Sequence, residues 1–285
     1  MKRSERMELA KQTVEIAERG MYTSSGGHPV DLAQAVQRCL DATRLFHPSE
    51  LKRLRNDVLA NATGDFSTSL ELVNETTLSG ITRLLADDSG PVAALNFASA
   101  KNPGGGFLNG SQAQEESLAR SSALYASLLR AWGFYEQHRG SPSLLYSDAM
   151  ILSPSCPIFR NEAGALLDRT QEVGFITSAA PNAGAAANSR PNELTSIPDV
   201  FRRRSEYVLA LAAAHGYRRL VLGAWGCGVF RNDPAVVASA FSEHLRGVWS
   251  GRFERVVFSV LDSSPSQETF AAFRLAMAPD AALSK

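Results

Sequence analysis

Only three cysteines, Cys39, Cys156 and Cys227, occur in 285 residues, and they are far apart. They supply neither a disulfide framework nor a metal-ligand spacing, so a reducing cytoplasm is the simplest setting. The histidines are equally dispersed and suggest no metal cluster. No apolar run is long enough to cross a bilayer, and the opening MKRSERMELAKQ lacks the hydrophobic stretch of a signal peptide. An excess of either charge is also missing. Lys plus Arg and Asp plus Glu each number 29, giving a formal net charge of zero. That speaks against a protein that grips duplex DNA through many phosphates. It leaves room for reading one phosphorylated group with backbone amides. No glycine-rich stretch ends in the Lys-Ser/Thr pair of a P-loop, so hydrolysis of a nucleoside triphosphate is not indicated. Internal repeats and low-complexity segments are absent too.

What is present is an alternation of short apolar runs and helical patterns. Ser4–Arg19 reads as an amphipathic helix stopped by Gly20. MYTSSGGHPVDL suggests a hairpin around Gly26-Gly27. Asp31–Thr43 is again helical, and a further helix enters through His47-Pro48-Ser49. Residues 1–65 are therefore expected to form a mostly helical extension packed on a main domain, 66–285. In that domain SLELVNE, VAALNFA, LLYSDAMILS, GFITSAA, RLVLGAW and RVVFSVLD read as strands. Helices are expected at Thr77–Leu85, Gln114–Trp132, Ile197–His215, Ala235–Leu245 and Gln267–Met277. Asp88–Gly90 and Gly140–Ser143 read as turns. Strands alternating with helices predict an α/β fold, with a parallel or mixed sheet flanked by helices on both faces.

In such a sheet ligands collect where strand-to-helix loops gather, at the carboxyl ends of the strands. Two of these loops are rich in glycine. Asn102-Pro103-Gly104-Gly105-Gly106 follows VAALNFA, and Gly226-Cys227-Gly228-Val229-Phe230 follows RLVLGAW. Glycine permits positive φ and close approach of a ligand to the backbone. Successive amides at a helix entry can cradle an anion such as a diphosphate. Either loop alone could simply be a tight turn; two in one sheet favour a phosphate site.

Seven residues after the triple glycine come Gln114, Glu115 and Glu116. Adjacent helical residues point about 100° apart, so the two acids cannot face each other across a substrate. One could act on a ligand while the other orients it. Their proximity favours keeping one protonated, whereas the helix N-terminus favours the charged form. The residues alone leave that contest open. Glutamate in a first helical turn is also common for dipole reasons alone. Beside a loop able to hold a sugar phosphate, the pair suggests acid-assisted cleavage of a glycosidic bond in a nucleotide-like ligand.

Together these residues resemble the poly(ADP-ribose) glycohydrolases, in particular compact bacterial-type members built on a macrodomain. The signature is Gly104-Gly105-Gly106, a short spacer and Gln114-Glu115-Glu116, supported by LNFASAKNPGGGFLNGSQAQEESLARSSALY, LGAWGCGVFRNDP and AERGMYTSSGGHPV. The resemblance covers nearly the whole chain. It implies a macrodomain-like sheet and hydrolysis of ribose–ribose O-glycosidic bonds; the zero net charge and glycine loops suited to one diphosphate add the expectation that cleavage is mainly at chain ends. By this similarity Glu116 is the catalytic acid and Glu115 holds the ribose at the scissile bond. The three glycines let the backbone approach that ribose. Gly226, Cys227, Gly228 and Val229 wrap the diphosphate, and Phe230 packs on the terminal ribose or else is a core aromatic. Asn102 either binds a ribose hydroxyl or makes the turn before Pro103. No cofactor and no metal are implied. The expected partners are poly(ADP-ribose), ADP-ribose and ADP-ribosylated proteins, with no nucleic acid or membrane and a monomeric, cytoplasmic chain. A non-catalytic ADP-ribose reader and a hydrolase of mono-ADP-ribosyl groups remain alternatives.

Other residues read more plainly. Cys227 is expected to be a small residue in a crowded loop, since no histidine partners it in the sequence. FRRRSEY at Phe201–Tyr207 reads as a solvated helix face, with a polymer track as its rival. SDAMILSPSCPIFRNE could lie near the adenine end of the site, or its prolines could only shape a loop.

Overall fold

A computed structural model describes residues 1–61, 64–87 and 89–278. The turn expected at Asp88–Gly90 thus begins outside the described residues. The chain opens with α1 (Arg3–Arg19), ended by Gly20 at φ 69°. A hairpin follows, β1 (Met21–Thr23) with β2 (Pro29–Asp31). Then come α2 (Ala33–Ala42), β3 (Arg44–Phe46) and α3 (Pro48–Asn61). The main run continues with β4 (Ser69–Val73), α4 (Thr77–Leu85), β5 (Val92–Ala98), α5 (Gln114–Ser121), α6 (Leu124–Arg130) and α7 (Gly133–Arg139). After it stand β6 (Met150–Arg160), β7 (Leu166–Ala179), α8 (Ala183–Ser189) and α9 (Ile197–Ala214). The described part closes with β8 (Arg219–Leu222), α10 (Pro234–Arg246), β9 (Arg255–Ser259) and α11 (Glu268–Met277).

Seven strands form one sheet in the order β3-β6-β7-β5-β8-β9-β4. From β7 to β4 every pairing is parallel, while β6 runs antiparallel to both its neighbours. The central strand β5 shows why both faces need cover. Ala93 and Leu95 pack into one apolar cluster with α9 and α10, and Val92, Ala94 and Ala98 into another with α4 and α6. Alternate side chains leave a strand on opposite faces, so a strand apolar at both parities must be buried on both. The polar exception in β5 is Asn96, which is fully buried.

The structure departs from the expected elements in several places, among them the unexpected helices α7 and α8. The first 65 residues contain β3, which pairs with Met150–Leu152 as the edge of the main sheet. The helix expected over Gln114–Trp132 is broken. Ser122 is extended and bridges to Ile158, Ala123 donates its amide to the Pro157 carbonyl, and the Ser122 hydroxyl accepts the Leu124 amide. The strand expected from Leu144 starts only at Met150, because the Leu145 and Tyr146 carbonyls accept hydrogen bonds from buried Arg204 instead of pairing. Pro154 and Pro157 both lie within β6: a register shift between Ser153 and Cys156 accommodates Pro154, and Pro157 stands in register with Glu172. Among the described residues no helix is long and apolar enough to cross a membrane.

Candidate active site

A cleft of about 1360 Å³ crosses the carboxyl ends of the parallel strands. Its lining begins at Glu75 and Thr76 after β4 and Leu261 after β9. It passes the second glycine loop after β8, reaches the acids beyond β5 and ends beside α6 at Leu129 and Trp132. Asn102, Gly105, Gly106, Gln114, Glu115, Glu116, Gly226, Cys227, Gly228, Val229 and Phe230 all line it. Gly104 does not. Its missing Cβ faces the Phe107 ring at 2.9 Å, so it lets the loop fold over its own aromatic residue.

The first loop is organised around the two carboxylates. Gly104 and Gly105 adopt φ of 66° and 60°, the left-handed region in which only glycine is at ease. A Cβ on Gly105 would collide with the Glu116 Oε1 and lie 3.3 Å from the Glu115 Oε2. Glu116 accepts the Gly106 amide at 3.0 Å. Glu115 accepts the Ser99 amide at 2.6 Å and the Asn96 side-chain amide at 3.3 Å. Gln114 acts as a staple: its Oε1 accepts the Phe97 amide, and its Nε2 donates to the Thr77 hydroxyl and the Leu95 carbonyl. It thereby ties the start of α5 to β5 and α4.

Burial decides the contest over the acid pair. Glu115 is 3% exposed, and its carboxyl is raised from 4.5 to about 8. Desolvation is the main cause; the Ser99, Asn96 and Gly104 donors pull downward, and the charge of Glu116 pushes upward. At neutral pH Glu115 is held mainly in its neutral form.

The second loop has a different character. Gly226, at φ 75°, has no room for a side chain: a Cβ would lie 2.5 Å from the Ala180 Cβ and 2.6 Å from the Asn232 amide nitrogen. Asn232 pins the loop by donating to the Pro181 and Gly226 carbonyls. Beyond it, a Cβ on Gly228 would meet nothing within 4 Å. The amides of Gly226, Gly228, Val229 and Phe230 donate to no protein acceptor among the described residues. Asp233 and Pro234 then start α10, with the Asp233 carboxylate capping the Ala235 amide. Unpaired amides beside a helix start make an anion cradle. Burial pushes the Cys227 thiol up to about 12, which fits a space-filling residue and not a thiolate nucleophile. Phe230 is partly buried against the core and still lines the cleft.

A chain built this way can hold an anion at one strand end and present a carboxylic acid to a bond at the next. The microbial-type PARG catalytic-domain model matches residues 10–161. The structure superposes on poly(ADP-ribose) glycohydrolase from Thermomonospora curvata with a TM-score of 0.92 and 47% identity, covering 96% of this chain and 99% of that one. The chain belongs to the microbial-type poly(ADP-ribose) glycohydrolases. The T. curvata enzyme bound to the inhibitor ADP-HPD matches with a TM-score of 0.88 and 46% identity, covering 95% and 99% of the two chains. The glycohydrolase from Deinococcus radiodurans in complex with ADP-ribose matches with a TM-score of 0.81 and 49% identity, covering 87% and 98%. No curated protein matches significantly.

Several site residues of this glycohydrolase were not evident from its sequence. Asn96, Ser99 and Thr177 form the bed of Glu115, with Asn96 also donating to the Thr177 hydroxyl at 3.1 Å. Asn102 accepts a hydrogen bond from Arg139 at 3.3 Å, and Arg139 stands over the Trp132 ring 4.7 Å from its centroid. The one usable signal was Asn96, a polar residue inside the apolar run VAALNFA. Arg139 and Trp132 lie some thirty residues beyond Asn102 and carried none.

Proposed function

We propose that this chain hydrolyses the ribose–ribose O-glycosidic bonds of poly(ADP-ribose) and releases ADP-ribose, mainly from chain ends. The observation that carries the reading is one cleft holding both the Glu115–Glu116 pair and the unpaired amides of Gly226, Gly228, Val229 and Phe230. The amides take the diphosphate of the terminal unit. Its distal ribose then lies against Gly105 and Gly106, with Glu115 beneath it as a positioning group. Glu116 gives a proton to the leaving ribose oxygen as the bond from the anomeric carbon breaks. Water attacks that carbon, and the Glu116 carboxylate takes the water's proton, which restores the acid. One water is consumed for each ADP-ribose released.

Preference for chain ends is supported by the fate of the arginine run. Arg202 pairs with Glu243, and Arg203 and Arg204 both pair with Asp148. Arg204 is also fully buried. The run is therefore occupied in structural pairing and offers little to a polymer track. The first 65 residues brace the catalytic loop: Arg3 and Arg6 of α1 donate to the Asn109 and Gly110 carbonyls, and the Thr13 hydroxyl donates to the Arg120 carbonyl.

The test is incubation with poly(ADP-ribose) followed by separation of products by size. Free ADP-ribose is expected early, with long polymer persisting beside it. Polymer bound but intact would make the chain a reader. Early oligomers with little monomer would make it an internal cutter.

A further inference from the structure

The cleft does not end at the acids. It continues past Glu116 to α6, where Leu108, Tyr125, Leu129 and Trp132 line it. Three of these are apolar and open to solvent: Leu108 is 44% exposed, Leu129 42% and Trp132 39%. They make an apolar shelf along this part of the cleft. Tyr125 and Leu129 are four residues apart on α6 and share a helix face, with Trp132 following at its end. Leu108 joins from the short 3-10 turn after the glycine loop, whose Phe107 ring lies 4.8 Å from the Tyr125 ring. Arg139 covers part of Trp132, donates only to the Lys101 carbonyl and the Asn102 side chain, and pairs with no carboxylate among the described residues.

Strand order fixes which part of a polymer meets this shelf. The free amides follow β8, the acids follow β5, and α6 packs over β6 on the far side of β7. A terminal unit with its diphosphate at β8 and its ribose at β5 must continue away from β8, toward α6. Its neighbour in the chain carries a purine base and a diphosphate. Bases stack on aromatic and flat apolar surfaces, and a guanidinium suits a phosphate.

We propose that Leu108, Leu129, Trp132 and Arg139 form a subsite for the ADP-ribose unit on the leaving side of the scissile bond. The base rests on the apolar shelf and Arg139 faces the diphosphate. This rests on the glycohydrolase reading and adds a second unit to the substrate that the chain recognises. The subsite is used by polymer and left empty by free ADP-ribose, so product escapes without competing for it.

The experiment compares steady-state hydrolysis of poly(ADP-ribose) with calorimetric binding of ADP-ribose for the full chain and Trp132→Ala. Losing one stacked base is expected to lower kcat/KM on polymer about tenfold, with ADP-ribose affinity unchanged. Trp132→Phe should recover most of the loss, since a smaller ring still stacks. Leu129→Glu, which places a negative charge on the shelf, should repeat the loss and serves as well if Trp132→Ala does not fold. Unchanged kcat/KM in a folded variant overturns the subsite. An equal loss of ADP-ribose affinity also overturns it, by assigning Trp132 to the terminal unit. If the unsubstituted chain leaves polymer intact, the glycohydrolase reading itself falls, and the subsite with it.

Discussion

The two glycine loops look alike in sequence, yet the structure uses their amides in opposite ways. In the first loop the protein consumes them: Gly105 donates to the Asn102 carbonyl and Gly106 to Glu116, while the Gly104 amide helps hold Glu115. In the second loop the amides of Gly226, Gly228, Val229 and Phe230 stay unpaired within the described protein. Gly226 and Phe230 are half-buried and Gly228 and Val229 exposed, so these amides stand at the cleft surface, where water or a ligand can supply the acceptors. The first loop orients acids and the second receives an anion. Glycine content alone marks both as close-approach sites and separates neither.

The sharpest way to break this division is to remove the acid. Glu116→Ala should lower turnover on poly(ADP-ribose) by about 10²–10⁴-fold while ADP-ribose binding, measured by calorimetry, stays largely intact. Turnover at the unsubstituted rate would take the catalytic role away from Glu116.

Next come the glycines themselves. Gly105→Ala puts a methyl group against the Glu116 carboxylate at a positive φ. Displacing a reacting group by about 1 Å can cost about 10²-fold in rate, so turnover should fall far more than ADP-ribose affinity. Gly228→Val should do the reverse. Its Cβ meets no protein atom within 4 Å, so the fold should survive, while the cradle is blocked and ADP-ribose affinity drops. If the two variants fail in the same assay, the loops do not divide the work.

The buried acid gives a smaller effect with a characteristic pH dependence. Glu115 titrates near 4.5 when exposed and about 8 when folded. Between these values the folded state keeps a proton that the unfolded state has lost, so stability falls as pH rises through this window. Below the lower value both states are protonated and the penalty is absent. Glu115→Gln should therefore stabilise the fold relative to the unsubstituted chain, by on the order of a few kcal/mol at most, with a larger rise in melting temperature at pH 8.5 than at pH 5. An equal gain at both pH values would mean that Glu115 is not a buried neutral acid. Turnover should nonetheless fall, since the ribose loses its positioning group.

The smallest effect concerns salt. Each phosphate neutralised on a single-stranded polymer adds about −0.7 to the slope of log affinity against log salt. Recognition of ADP-ribose mainly by uncharged amides predicts a slope near zero. A steep slope for ADP-ribose itself would move the diphosphate from the second loop to cationic side chains.

The local chemistry was legible because it rests on residue type and short spacing. The triple glycine, the acid pair seven residues later, the second loop and the strand–helix alternation all lie within short windows of sequence. Caps and breakers were legible for the same reason: Gly20 ends α1, and Asp233-Pro234 starts α10. The tertiary structure alone decided which acid is kept neutral, because desolvation of Glu115 comes from β5, the Ser99 turn and the glycine loop closing around it. It alone broke the helix at Ser122, where a bridge to Ile158, 36 residues away, outweighs helical continuation. It alone paired the arginine run with Asp148 and Glu243 and set Trp132 and Arg139 at the far end of the cleft. A sequence specifies which groups are available; dielectric surroundings and hydrogen-bond partners depend on segments far apart in the chain, and only packing brings those together.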